Sequence, residues 1–229
     1  MDAVALIDVA IKDRGSFKSI GKKLGGLPPS ENAAKRLISA FNANRCQPWL
    51  TAYLLGCIRH PAGYETAKCI LLSNSRLGSE GYAGAAMAVM RGEAAYDDLR
   101  QIVFSNHPRK VRDGAACGLP IAQSGRALDD LLVAFVERRI SSTATIHVAQ
   151  CNPPDSWLLQ LIESDDPRKQ RFACTTIDRL LNRHRSPVPG EEVAAAVRQL
   201  LDRQIISSKS PSVNHLLKWL NGTLDERMD

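Results

Sequence analysis

A segment of about thirty residues recurs along this chain, and no other feature narrows its fold as much. Tyr82-Ala83-Gly84-Ala85-Ala86-Met87-Ala88-Val89 stands against Arg112-Asp113-Gly114-Ala115-Ala116-Cys117-Gly118-Leu119, thirty residues on. Asp97-Asp98-Leu99 stands against Asp129-Asp130-Leu131, and Arg59, Tyr64 and Asn74 against Arg91, Tyr96 and Asn106, each thirty-two residues on. Asp166-Pro167-Arg168-Lys169-Gln170-Arg171 answers His107-Pro108-Arg109-Lys110-Val111-Arg112 two periods later.

The clearest copy runs from Pro108 to Arg139 and reads as two antiparallel helices. Pro108 follows the polar turn Ser105-Asn106-His107 and suits a first helical turn, where its missing N–H has no partner to lose. Val111, Ala115, Gly118, Leu119 and Ala122 recur at spacings of three and four, giving one apolar face. Gly114, Ala115, Ala116 and Gly118 are small enough for a second helix to approach closely. Ser124-Gly125 is expected to end this helix. Asp129 and Asp130 are expected to open the next, at the positive end of its dipole. Leu131, Leu132, Ala134, Phe135 and Val136 make its buried stripe.

One helix pair per fixed period is the pattern of an α-solenoid, in which each unit buries its apolar face only against its neighbours. The chain resembles the HEAT-repeat family, in particular short bacterial HEAT-like repeats with a Pro-x-x-Arg-x-x-Ala-Ala consensus. Pro108, Arg112, Ala115 and Ala116 carry the resemblance, with Pro167 and Arg171 as a second instance; in both, three residues rather than two separate Pro from Arg. It implies an all-α, right-handed α-α superhelix of about five to six helix pairs in a single domain over residues 1–229. Within it, 1–47 form N-terminal capping helices, 48–203 the repeat array, and 204–229 a C-terminal cap and tail. It also implies that Arg112 and Arg171 are structural repeat arginines bonding to neighbouring turns.

Local signals place the helices. They are expected over 2–12, 17–24, 31–42, 49–58, 63–72, 79–90, 96–104 and 108 to about 122, then 128–138, 140–151, 155–162, 167–182, 191–201 and 211–220. Ser16 is read as a cap, Asn152-Pro153-Pro154 as a break, and Leu216, Leu217 and Trp219 as closing the C-terminal end.

Aromatic residues make up only 5% of the chain, so the cores are built from Ala, Leu, Ile and Val. The six cysteines form no Cys-x-x-Cys pair, and Cys57, Cys69, Cys117 and Cys174 fall in apolar stripes. Free thiols in a reducing cytoplasm are therefore expected. Asp2 and Asp8 stand where a secretory leader would be positive, and no apolar run reaches membrane-spanning length, so no membrane partner is expected.

Candidate chemistry is sparse. The pairs Asp97-Asp98, Asp129-Asp130 and Asp165-Asp166 lie beside expected helix starts, where capping accounts for them. The five histidines lack zinc-ligand spacing, and no nucleophile elbow or phosphate-binding loop is present. Neither metal nor cofactor is expected, and no residue is assigned a catalytic role. The net charge of +6 and the clusters Arg109, Lys110, Arg138, Arg139, Arg168, Lys169, Arg183 and Arg185 outline a basic edge. Arg109, Lys110, Arg168 and Lys169 sit at helix starts, against the dipole, which hints at a use for them.

The expected function is non-enzymatic: an adaptor, or an inhibitor or immunity-type binder of an acidic protein partner. The alternative is a basic-surface nucleic-acid binder, similar to HEAT-like alkylpurine DNA glycosylases that use Trp and Asp beside a flipped nucleotide. Repeat style also resembles the phycobilin lyases, with no residue that carries their activity over.

Overall fold

The computed structural model describes residues 2–73, 79–182, 188–202 and 211–222. Among these the chain is all-helical, without strands. Its helices are α1 (Ala3–Lys12), α2 (Phe17–Gly25), α3 (Glu31–Asn42), α4 (Pro48–Ile58), α5 (Tyr64–Leu72), α6 (Glu80–Arg91) and α7 (Tyr96–Val103). They continue as α8 (Arg109–Ala122), α9 (Ser124–Val136), α10 (Ala144–Gln150), α11 (Asp155–Ile162), α12 (Pro167–Leu181), α13 (Glu191–Asp202) and α14 (Pro211–Leu220).

Most boundaries follow from local chemistry. Asp2, Ser30 and Asp166 each accept a backbone N–H of the first helical turn, from Ala5, Ala33 and Arg168. Pro48 and Pro167 occupy the first helical position. Asp13 rather than Ser16 caps the turn before α2, accepting from Gly15 N and from the Ser16 hydroxyl.

Two expectations need correction. α9 begins at Ser124, so Gly125 lies inside its first turn and Asp129 and Asp130 lie mid-helix. The break comes earlier: Pro120 removes an amide from the last turn of α8, and Gln123 is extended at φ −160° and ψ 96°. The helix expected over 140–151 starts only at Ala144. The reason lies upstream, where the Asp113 carboxylate takes the Ser141 N–H at 2.7 Å and holds that segment out of a helix.

The helices fall into two compact units, Met1–Ala127 with Arg139–Ser141, and Leu128–Arg138 with Ser142–Asp229. In the first unit α2, α4, α6 and α8 pack in series, and α1 packs on α3. α5 lies against α4 and α6, and α7 against α8. In the second unit α12 packs against both α10 and α14, while α11 packs on α12 and α13. The even-numbered helices from α2 to α8, and those from α10 to α14, each touch the one two places along, as α1 does α3 and α11 does α13.

Small residues set the closest approach. A Cβ on Gly84 would lie 1.9 Å from the Gly114 carbonyl oxygen, and one on Gly118 would lie 2.4 Å from the Gly84 carbonyl oxygen. α6 and α8 therefore meet backbone to backbone. Larger side chains fill the remaining interior, with Tyr64 and Tyr96 fully buried in the first unit and Phe172 in the second. At the C-terminal end Leu216 and Leu220 are buried, whereas Leu217 is exposed.

Candidate functional site

The polar groups of the first unit meet at the junctions between successive helix pairs. Arg59 ends α4 in the left-handed conformation (φ 60°), and its guanidinium donates to the Leu27 carbonyl at 2.6 Å. The buried Tyr64 donates its hydroxyl to Asp98 at 2.8 Å, and Lys68 reaches the same oxygen at 3.0 Å. Arg91 lies 3.7 Å above the Tyr64 ring and 3.7 Å from Glu65. One period later Arg126 lies 4.3 Å above the Tyr96 ring and 3.1 Å from Asp97, and Gln123 donates to Glu93. Cation over ring, beside a carboxylate, is thus the joint used twice.

The Tyr64–Asp98 contact ties its members' proton affinities together. Lys68 first, and then Tyr64, hold the Asp98 carboxyl below its ordinary value. Burial first, and then the Asp98 carboxylate, push the Tyr64 phenol well above 10. Both shifts favour the forms present at neutral pH. Their stabilisation is complete above about pH 4 and is lost as pH falls through the Asp98 folded value. It is also lost as pH rises above about 10 towards the Tyr64 folded value. Asp98 is half exposed, so the acid limb is the smaller. Tyr64→Phe is expected to cost about 1–2 kcal/mol in urea unfolding and to flatten the alkaline limb. An unchanged midpoint with an unchanged alkaline limb would rule the bond out as a structural tie.

Three of the six basic-edge residues that are described hold backbone carbonyls. Arg109 donates to the Ile140 carbonyl at 3.2 Å, and Arg139 returns the favour at the Phe104 carbonyl at 3.0 Å. With Ser141 N–H on Asp113, three bonds clasp residues 139–141 to the ends of α7 and α8. In the second unit Arg168 reaches the Val136 carbonyl at the C-terminus of α9. A cation there is favoured by the helix dipole. Of the charges that looked misplaced, Arg168 at the start of α12 serves the end of another helix, and Arg109 at the start of α8 serves the irregular segment 139–141. Lys110 and Arg138 are exposed, the latter left-handed at φ 60°, and Lys169 is half-buried. Arg112 donates to the Ser105 carbonyl at 3.4 Å, while Arg171 is exposed. Arg183 and Arg185 lie outside the described residues.

The paired acids divide. Asp166 caps α12 and Asp97 sits in the first turn of α7, but Asp129 accepts the Trp157 indole N–H at 3.1 Å. Trp157 and Phe135 in turn pack on Phe172, at centroid distances of 6.5 and 4.7 Å.

Sequence reasoning missed one grouping. Phe17 of α2 packs edge-to-face on Trp49 (5.1 Å) and Tyr53 (5.4 Å) of α4, and Tyr53 packs edge-to-face on Tyr82 of α6 (5.7 Å). In a chain with only five Phe, four Tyr and three Trp, four of them form one row. A signal existed: Phe17 to Trp49 and Tyr53 to Tyr82 are each about one repeat period.

Among the described residues no three His, Cys, Asp or Glu side chains gather as a metal site. Burial pushes the Cys117 and Cys174 thiols up to about 12, so they stay protonated; Cys69, expected in an apolar stripe, is exposed. A cavity of about 550 Å³ in the second unit is lined by Glu163, Asp165 and Glu192 over Leu159 and Ile162, with no His, Cys or Lys among its lining. No described helix is long and apolar enough to cross a membrane. Comparison with protein-family models, curated proteins and solved structures found no match.

Proposed function

We propose that this chain is a non-enzymatic protein-binding module, built as a HEAT-like α-solenoid and directed at an acidic partner. One observation carries the reading: the polar residues most suggestive of chemistry are used to join one helix pair to the next. Arg59 to Leu27, Tyr64 to Asp98, Arg109 to Ile140 and Arg168 to Val136 all span about one repeat period. A chain that spends its cations, acids and buried phenols in this way has its surface left for function. Stacked repeats offer an extended one. The solenoid reading is further supported by the series α2, α4, α6 and α8, in which each helix touches the one two places along.

The test is affinity capture at low and high salt, with the bound proteins identified. An acidic partner is expected to elute as ionic strength rises. Lys110→Glu with Lys169→Glu is expected to weaken capture without lowering the melting temperature. Arg109 and Arg168 are unsuitable for charge reversal, because their loss would also unfasten segment 139–141 and the end of α9. Absence of any specific protein at low salt would sink the reading.

A second reading, a nucleic-acid binder similar to the alkylpurine glycosylases, is favoured by the Asp129–Trp157 pair beside Phe172. It predicts tight duplex or single-strand binding by fluorescence anisotropy that collapses between about 50 and 200 mM salt. It also predicts release of an alkylated base that Asp129→Asn abolishes. No binding at the lower salt would remove it.

A further inference from the structure

Helix α4, Pro-Trp-Leu-Thr-Ala-Tyr-Leu-Leu-Gly-Cys-Ile, contains no charged residue. A helix apolar on every side belongs in an interior, covered all round. α4 is not so covered: Leu50, Leu54 and Leu55 are buried, but Trp49, Tyr53, Gly56 and Cys57 remain half-exposed along one side. The adjoining α6 repeats the anomaly. Its outward side is Tyr82, Ala85 and Val89, with Tyr82 44% and Val89 38% exposed, and its acid, Glu80, is buried.

Packing makes these sides continuous. Tyr53 meets Tyr82 edge-to-face, and Gly56 faces Ala86. On the other flank Gly81 lies against Cys117 and Gly84 against Gly118, so Ile121 of α8, 45% exposed, stands one turn beyond Cys117 on the same side. Phe17 of α2 closes the opposite edge against Trp49 and Tyr53. The result is an apolar and aromatic face across four helices of the first unit. Isolated apolar residues on a surface need no explanation, whereas a contiguous patch marks an interaction site.

The rim chooses the occupant. α2 carries exposed Lys18, Lys22 and Lys23 and no acid, and Lys18 sits 5.9 Å from the Phe17 ring. Lys110 is exposed on the outer side of α8. The acids nearby are already engaged, Asp13 by Gly15 N and Ser16, and Asp113 by Ser141 N. We propose that this face docks an amphipathic helix of a partner protein, with apolar residues against Tyr53, Tyr82, Val89 and Ile121 and carboxylates against Lys18, Lys22 and Lys110. The proposal rests on the protein-binding reading and assigns it a surface. Single-stranded nucleic acid suits the face less well. Bases stack on free ring faces, whereas these rings are turned edge-to-face into one another at 79–83°. Val89 and Ile121 offer no ring at all.

The experiment titrates the full chain with an eighteen-residue amphipathic peptide of leucine and glutamate, its leucine–lysine counterpart, and oligo-dT. Saturable binding of the glutamate peptide is expected, weakening as salt rises. Tyr82→Asp with Val89→Asp is expected to reduce its affinity about tenfold or more, since burial of a central aromatic dominates such contacts. Both residues are exposed, so the fold should survive, as circular dichroism would report. Lys18→Glu with Lys22→Glu is a second, independent variant expected to bind the glutamate peptide several-fold more weakly. Equal binding of both peptides, or binding untouched by either variant pair, overturns the proposal. Oligo-dT binding lost in Tyr82→Asp would reassign the face to nucleic acid, and a dimer that this substitution dissolves would reassign it to a second copy. If the peptide fails while salt-sensitive capture of a protein partner persists in both variants, only this face is wrong. If wild type captures no protein, the broader reading fails first.

Discussion

Gly84→Val is expected to unfold the first unit or leave it severely destabilised, by about 3 kcal/mol or more. The reason is geometric. The Gly84 Cβ would sit 1.9 Å from the Gly114 carbonyl oxygen, 2.8 Å from its carbonyl carbon and 3.3 Å from Ala115 Cα. These are backbone atoms of α8, which cannot rotate aside as a flexible side chain would. Relief requires α6 and α8 to separate, and that would also pull apart the close approaches of Gly114 to Glu80 and of Gly118 to the Gly84 carbonyl. Against a typical total stability of about 5–15 kcal/mol, the loss is a large fraction. Thermal unfolding followed by circular dichroism measures it, and hydrogen exchange should show α4, α6 and α8 losing protection together. The control is Gly125→Ala. That glycine is exposed near the start of α9 with nothing within 4 Å of the added carbon, so the change is expected to stabilise by about 0.5–1 kcal/mol. A Gly84 variant as stable as wild type would mean that the two helices do not pack as described.

Phe172→Ala is the corresponding test of the second unit, with an expected loss of about 3–5 kcal/mol. Phe172 is 1% exposed, and its ring meets those of Phe135 and Trp157. Truncation removes the aromatic burial and leaves a cavity between α9, α11 and α12 that rigid helices fill only in part. The indole of Trp157 stays tethered to Asp129 but loses the neighbour that orders its ring. Reduced near-ultraviolet dichroism should therefore accompany the fall in denaturation midpoint. Phe172→Leu keeps most of the volume and is expected to cost less than about 1.5 kcal/mol. Equal effects of the two substitutions would argue against a packed aromatic core at this position.

The helices themselves were legible because their signals are local. Ser30, Asp166, Pro48 and Pro167 act on their own first turns, and α11 and α14 begin and end at the residues expected from the flanking breaks. The small residues of α8 were legible too, since Gly114 and Gly118 have no other evident purpose in a helix. Failures began where a residue's partner lies a repeat away. Asp129 looked like a helix-start residue because the break at Gln123 depends on Pro120 and an extended backbone, not on Ser124-Gly125. Its bond to Trp157 could not be read from either residue.

Arg109, Arg139 and Arg168 were visible as charges, and by charge alone they resemble Lys110 and Arg138. Which of them is tied down depends on whether a backbone carbonyl of another segment comes within reach of the guanidinium, and that is a property of packing. The same holds for Phe17, Trp49, Tyr53 and Tyr82. Sequence composition counted them as scarce, whereas helix stacking collected them into one row. Most helices and the close contact at glycine were legible along the chain, because each depends on nearby residues or on the mere absence of a side chain. Which cations hold carbonyls and which apolar side chains face water was set by packing, because both depend on the distance between atoms about thirty residues apart.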